Sequence, residues 1–375
     1  MRKTLLLILF ISLFFLGCDE NKAITPSGKI VKIGVLAPLS GQNNRLGHQS
    51  LLGLLAANEM DRYLDNGDEI VFEVFDTKSD FNHTSKELSH INSSKSIKAV
   101  ISSMASDNTL RLKREFTTYK LPTIATLASN NNISSLDGYI SQVSIDNTTQ
   151  VLIASHYIKD EKFIQNTGVI YDKNSVYSIE IANKFKEYYT KLGGKVKFFI
   201  NTNTEVGLKE FENRDKTDIK IIFNALNAVQ TIRILKIIQK QDSSFKILGT
   251  TGLLSGALEL SKDDLKYFDG MYVMEHFAHD TNINKKRTVL ESHLDKNGFK
   301  ESSYAFLSYD SYQLLVSALN GCPQYENECI NTIFKNSEII HSALGNFSMI
   351  NSKVKREIYI DKIKGSSLFQ DVVIY

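Results

Sequence analysis

The chain has 375 residues, with 44 Lys+Arg against 42 Asp+Glu, 42% hydrophobic and 23% charged residues. That length fits two domains, and the composition is globular rather than disordered. Without Arg2 and Lys3, which lie in a segment read below as removed, the count is 42 of each sign. A neutral chain argues against nucleic acid or another polyanion as partner, since phosphate binding needs a concentrated basic surface. Three cysteines are too few for a disulfide scaffold.

The N-terminus reads as an address. Arg2 and Lys3 precede a nearly unbroken apolar run from Leu5 to Leu16, shorter than the roughly 18 to 20 residues that span a bilayer. The three-part pattern is that of a secretory signal over 1–17. Phe15-Leu16-Gly17-Cys18 resembles a bacterial lipobox, which implies diacylation of Cys18, membrane attachment through that lipid, and a polar tether over 18–28. Export makes disulfides permissible, so Cys322 and Cys329, seven apart around Pro323, are expected to close a local loop.

Beyond the tether, apolar runs and helical spacing alternate. Strands are expected at Lys32–Ala37, Glu69–Phe75, Ile97–Ile101 and Pro122–Ala125. Helices are expected between them at Leu46–Tyr63, Ser79–Ser94 and Thr109–Tyr119. This order implies a parallel sheet covered by helices on both faces. The rhythm restarts with a helix at Gln150–Tyr157, a strand at Gly168–Tyr171 and a helix at Ser178–Leu192 stopped by Gly193-Gly194. Strands follow at Lys195–Ile200, Ile219–Phe223, Lys246–Gly249 and Gly270–Phe277, with a helix at Val229–Gln239. Two helices, Lys285–Asn297 and Ser303–Leu319, precede terminal strands at Lys355–Ile360 and Gln370–Tyr375. Two successive α/β units suggest two lobes, with ligand held at the carboxyl ends of the strands.

Catalytic motifs are missing: there is no G-x-S-x-G, P-loop, G-x-G-x-x-G or H-E-x-x-H. His83 with His90, and His276 with His279, could ligate a metal, but solvated or capping histidines are commoner, and no metal or cofactor is expected. Asp107, Asp172 and Asp310 are scattered acids without a second carboxylate for acid–base work; Asp310 reads as beginning a helical stretch. An enzyme is not expected.

Four segments resemble the branched-chain amino-acid-binding proteins, the type I periplasmic binding proteins of ABC importers. They are Lys32-Ile33-Gly34-Val35-Leu36-Ala37-Pro38-Leu39-Ser40-Gly41; Tyr171-Asp172-Lys173 with Tyr177 and Leu192-Gly193-Gly194; Phe268 to Tyr272 with His276-Phe277-Ala278; and Tyr304–Leu319 with the ending Gly345–Ile363. The resemblance implies an α/β two-lobed fold with three crossings, near Ser144, Phe277 and Ser348. Lobe 1 would comprise 29–144 and 278–347, lobe 2 145–277 and 348–375. It further implies a monomer outside the cytoplasm, anchored by lipid, that passes a small solute to an ABC permease; the alternative is a ligand sensor serving a receptor or two-component system.

The same resemblance fills the cleft. The ligand carboxylate would meet Ser106, the Leu127 backbone and Ser129, with Asn108 as a register alternative to Ser106. Tyr177 would reach in from the second lobe, Tyr309 would wall an apolar side chain, and Leu46 stands where the family often has a large aromatic. Another second-lobe aromatic is replaced around Leu226-Asn227. Each serine has a plain capping alternative, and each tyrosine a burial one. Thr251 occupies the place of the acid that commonly partners a ligand ammonium, and a hydroxyl does not neutralise a buried cation. Glu275 could compensate if it pointed inward; otherwise it is a solvated strand-end acid. A carboxylate or amide ligand without an ammonium therefore fits as well as an amino acid.

Overall fold

β1 (Ile30–Ala37) is buried on both faces from Ile33 onward, the pattern of a strand inside a helix-covered parallel sheet. The computed structural model describes residues 24–162, 164–241, 245–253, 260–278, 285–296, 302–365 and 367–374. The expected signal segment, Cys18 and His279 lie outside these residues. Among the described residues no helix is long and apolar enough to cross a membrane.

After β1 come α1 (Asn44–Met60), β2 (Glu69–Asp76), α2 (Phe81–Ser94), β3 (Ile97–Ser102), α3 (Ser106–Arg111), α4 (Lys113–Thr118), β4 (Thr123–Ala125) and β5 (Ile140–Gln142). Asp80 caps α2 by accepting from the His83 N–H. The single helix expected over Thr109–Tyr119 is two, because Leu112 leaves helical geometry at ψ 0°, with both Leu112 and Phe116 fully buried.

The second unit runs α5 (Asn147–His156), a π-type turn over Tyr157–Glu161, β6 (Asn166–Tyr171), α6 (Val176–Lys191), β7 (Lys195–Asn201), α7 (Glu205–Asn213), β8 (Ile221–Asn224), α8 (Ala228–Lys240), β9 (Lys246–Gly249), α9 (Lys262–Leu265) and β10 (Tyr272–Glu275). The chain then builds α10 (Lys285–Asp295), α11 (Ser303–Gly321), α12 (Asn327–Lys335), β11 (Ser337–Ile340), β12 (Phe347–Ile350) and β13 (Lys353–Lys355). It closes with β14 (Ile358–Lys364) and β15 (Ser367–Ile374).

These strands form two sheets, ordered β11-β12-β13-β5-β4-β3-β1-β2 and β15-β14-β10-β9-β8-β6-β7. β1 to β5 pair in parallel, as do β6 to β10, while β14 and β15 add an antiparallel hairpin. This is the expected α/β two-lobed architecture, each lobe a mainly parallel sheet. The chain passes between sheets at 143–146, at 276–278 and at Arg356-Glu357. The crossing expected near Ser348 therefore falls later. Asn351 and Ser352, both with positive φ, turn β12 back into β13, whose Lys353 pairs with Gln142 of β5 in the first sheet.

α11 is the spine of the first lobe: 14 of its 19 residues are buried, and it packs along α1. Its C-cap, Cys322, is joined to Cys329 of α12 by a disulfide.

Candidate functional site: an interlobe cleft

A cleft of about 720 Å³ opens between the lobes at the carboxyl ends of both sheets. Its first-lobe wall is made by the turns after β1, β3 and β4 and by the start of α11. Ser106 Oγ accepts from the Ser129 N–H at 3.2 Å and the Asn130 N–H at 3.3 Å, lashing the turn after β4 to the turn after β3. Beside it, the Leu127 N–H and the Ser129 hydroxyl have no protein partner among the described residues. Both residues face the cleft. A free amide and a free hydroxyl on one rigid turn suit an anionic oxygen.

Buried hydroxyls fix these turns from behind. Ser50 of α1 meets Ser103 and, at 2.5 Å, Ser308 of α11. Thr126 meets Ser311 of α11 at 2.9 Å. The same helix presents Ser303, Tyr304 and Leu307 to the cleft.

On the second-lobe wall Asp172 accepts from the Asn174 N–H at 2.8 Å and from Gln230 Nε2 at 2.7 Å, so each oxygen is already held. Thr251 donates from both its N–H (3.2 Å) and its hydroxyl (3.0 Å) to Gln150 Oε1, and Gln150 Nε2 donates onward to the Ile145 carbonyl at 2.9 Å. Tyr177 packs so close to Gly252 that a Cβ there would sit 3.1 Å from its ring. Its buried hydroxyl lies beside Thr250, Thr251 and Gly252 without reaching hydrogen-bond geometry to any of them, and burial pushes it up to about 12.

One titratable group lies on the floor and a second just beneath it. His276 Nε2 accepts from the Ile145 N–H at 3.3 Å, with Ser144 Oγ at 3.4 Å, which assigns the ring proton to Nδ1. Burial, helped by the Arg356 charge, lowers its pKa to about 3, so the imidazole is neutral. Glu275 is fully buried and accepts from the Ser303 hydroxyl at 3.1 Å. Burial, then the neighbouring Asp361, raises its pKa to about 8. It is neither a solvated strand-end acid nor part of the cleft lining, because β10 ends beneath α11 rather than at the surface.

Of the residues singled out from the sequence, Leu46, Ser106, Leu127, Ser129, Tyr177 and Thr251 line the cleft. Tyr309 does not: at 1% exposure it points into the first-lobe core, and Tyr304 and Leu307, on a different face of the same helix, line the cleft in its place. Asn108 also stays outside, donating to the Ser79 carbonyl at 3.4 Å. Asp310 lies inside α11 instead of starting a helix, in a buried ion pair of 2.5 Å with Arg356. His83 pairs with Glu87, His90 stacks edgewise on Phe75, and among the described residues no three His, Cys, Asp or Glu converge on a metal position. Asp107, His276 and Ser303 line the cleft, and Gln150 holds one of its residues, without having been picked out as site residues.

A family model described as a periplasmic binding protein matches residues 30–366. No curated protein sequence matches the chain. Similar solved structures include the leucine-binding protein LivK from Thermotoga maritima MSB8, at 20% identity, covering 92% of this chain and 98% of that one with a TM-score of 0.80. The branched-chain amino acid transporter substrate-binding protein LivJ from Streptococcus pneumoniae, in complex with isoleucine, is 17% identical over 92% and 99% of the two chains, TM-score 0.77. An ABC-transporter solute-binding protein from R. palustris, in complex with 4-hydroxybenzoate, is 14% identical over 92% and 97%, TM-score 0.79. At these identities the likeness is one of fold.

Proposed function

The chain belongs to the periplasmic binding protein family, and from that premise we propose that it is the lipid-anchored substrate-binding component of an ABC importer. It works outside the cytoplasm as a monomer and hands a small carboxylate-bearing solute to a permease. It performs no chemistry; the lobes close over the ligand by hinge motion at the three crossings.

One observation carries the ligand class: the unpartnered Leu127 N–H and Ser129 hydroxyl, braced by Ser106, on the first-lobe wall. A carboxylate placed there gains charge-assisted bonds without displacing any protein contact. The second lobe favours a ligand whose far end is not cationic. The Thr251 hydroxyl is committed to Gln150, both Asp172 oxygens are engaged, and Glu275 is hidden and held protonated at neutral pH. An ammonium there would have to compete for Asp172 or Asp107, the cleft-lining carboxylates, with hydrogen bonds they already accept, and finds no carboxylate reserved for it. Aromatic or aliphatic carboxylates, or amides, therefore suit the site better than α-amino acids.

The test is a thermal-shift screen followed by calorimetry over leucine, isoleucine, benzoate, 4-hydroxybenzoate and short amides. A carboxylate without an ammonium is expected to bind more tightly than its α-amino counterpart. Preference for the amino acid overturns the ligand class, and no binding by well-folded protein overturns the solute-binding role.

A further inference from the structure

Glu275 stands where the lobes are joined, and this bears on how the cleft closes rather than on what it holds. It is the last residue of β10, directly before the second crossing. Its only side-chain partner among the described residues, Ser303, is the first residue of α11 in the other lobe and lines the cleft. The second oxygen, Oε1, is buried with no hydrogen-bond partner.

The groups around it offer no uncommitted positive charge, and Tyr359, directly opposite it on β14, brings a phenol. On β14, Asp361 lies opposite Val273 and so shares a face with Glu275 two residues along. The next residue, His276, is neutral. Arg356, at the third crossing, is paired with Asp310 of α11. The loop after β9 brings Thr250 and Thr251, which do not titrate. Among the described residues no cation lies within ion-pair distance of Glu275. An ionised carboxylate there would be buried beside another acid with one hydrogen bond, so this arrangement of the lobes holds the proton.

We propose that Glu275 is a proton-operated hinge lock: closing the lobes takes up one proton from solvent onto its carboxyl, and losing that proton opens the cleft. Opening parts Ser303 from Glu275 and admits water to the carboxyl, which relieves the burial that favours the neutral form. The closed form therefore binds more protons than the open one, and rising pH drives opening. The raised pKa of about 8 puts the change within reach of ordinary environments. With one proton involved, the closed-to-open ratio falls by at most about tenfold per pH unit.

Small-angle scattering of the purified protein and of Glu275→Gln, without any added solute, reads this directly. The wild type should show a radius of gyration that rises between pH 6.5 and 9.5, while E275Q, which mimics the protonated acid, keeps its pH 6.5 value. A wild-type radius that does not change, or the same rise in E275Q, overturns the proposal. Should E275Q fail to fold, carbon-13 NMR of glutamate-labelled wild type decides. A carboxyl that titrates above pH 7 in step with the expansion supports the lock, and glutamates that all titrate below pH 6 overturn it. Because no ligand is used, the result is independent of which solute the cleft accepts.

Discussion

Asp107 Oδ1 accepts a 3.1 Å hydrogen bond from the Val176 N–H, and the bond spans the mouth of the cleft. Asp107 sits in the first turn of α3 in one lobe; Val176 opens α6 in the other. A carboxylate at the N-terminus of a 16-residue helix also meets the positive end of its dipole. Asp107→Ala should lower the affinity for a captured solute by about 1 kcal/mol, roughly fivefold, because only the closed state loses the bond. Calorimetry checks this, and an affinity equal to wild type removes Asp107 from the closing contact.

Ser129→Ala deletes a free donor from the first-lobe wall. Binding of a carboxylate should weaken by roughly 1 to 3 kcal/mol, since a charged acceptor loses its partner. Titration calorimetry with the tightest ligand of the screen measures it. Unchanged affinity would take Ser129 out of the site.

Stability should peak in a window of pH rather than at one value. His276 has a folded pKa of about 3 against an ordinary 6.5, so the unfolded chain binds the extra proton between them. Its contribution, fully present above 6.5, is lost as pH falls from there toward 3. Glu275 has a folded pKa of about 8 against 4.5, so the folded chain holds the extra proton. Its contribution, fully present below 4.5, is lost as pH rises from there toward 8. From 4.5 to 6.5 the two slopes cancel; on either side one acts alone, at up to about 1.4 kcal/mol per pH unit. Urea unfolding across pH should show the plateau, with His276→Gln flattening the acid limb and E275Q the alkaline one. A profile unaffected by either substitution refutes the assignment.

The Arg356–Asp310 pair is buried at 2% and 0% side-chain exposure, and Ser342 also bonds the carboxylate. Arg356→Met leaves that carboxylate alone in the first-lobe core and should cost about 3–5 kcal/mol. Pairing it with Asp310→Leu should restore much of the loss. A double variant no more stable than R356M would show that the arginine acts by something other than charge.

Cys18→Ser should move the protein from the membrane fraction to the soluble one, as expected of a lipid anchor at that residue. Fractionation and immunoblotting read it, and persistent membrane association would place the anchor elsewhere.

The two sheets were legible because buried parallel strands are short apolar runs, and the helices between them carry capping and stop residues such as Asp80 and Gly193-Gly194. α7 escaped notice since only Gly207, Leu208 and Phe211 of its nine residues are buried. In α11 burial on nearly every side erases the amphipathic stripe, so periodicity could not tell that Tyr304 and Leu307, rather than Tyr309, face the cleft. The third crossing, placed from the resemblance alone, falls later because β13 pairs back onto β5 of the first sheet before the chain leaves it. Gln150, His276 and Ser303 take their roles from partners 101, 131 and 28 positions away, which no local spacing encodes.

Gln150 ties the turn after β9 to the Ile145 carbonyl, and His276 ties the second crossing to the Ile145 amide. Two of the three connecting strands are thus spliced to each other by side chains at a single residue. A twist of one crossing therefore pulls on the other through Ile145, and the pair behaves as a single joint.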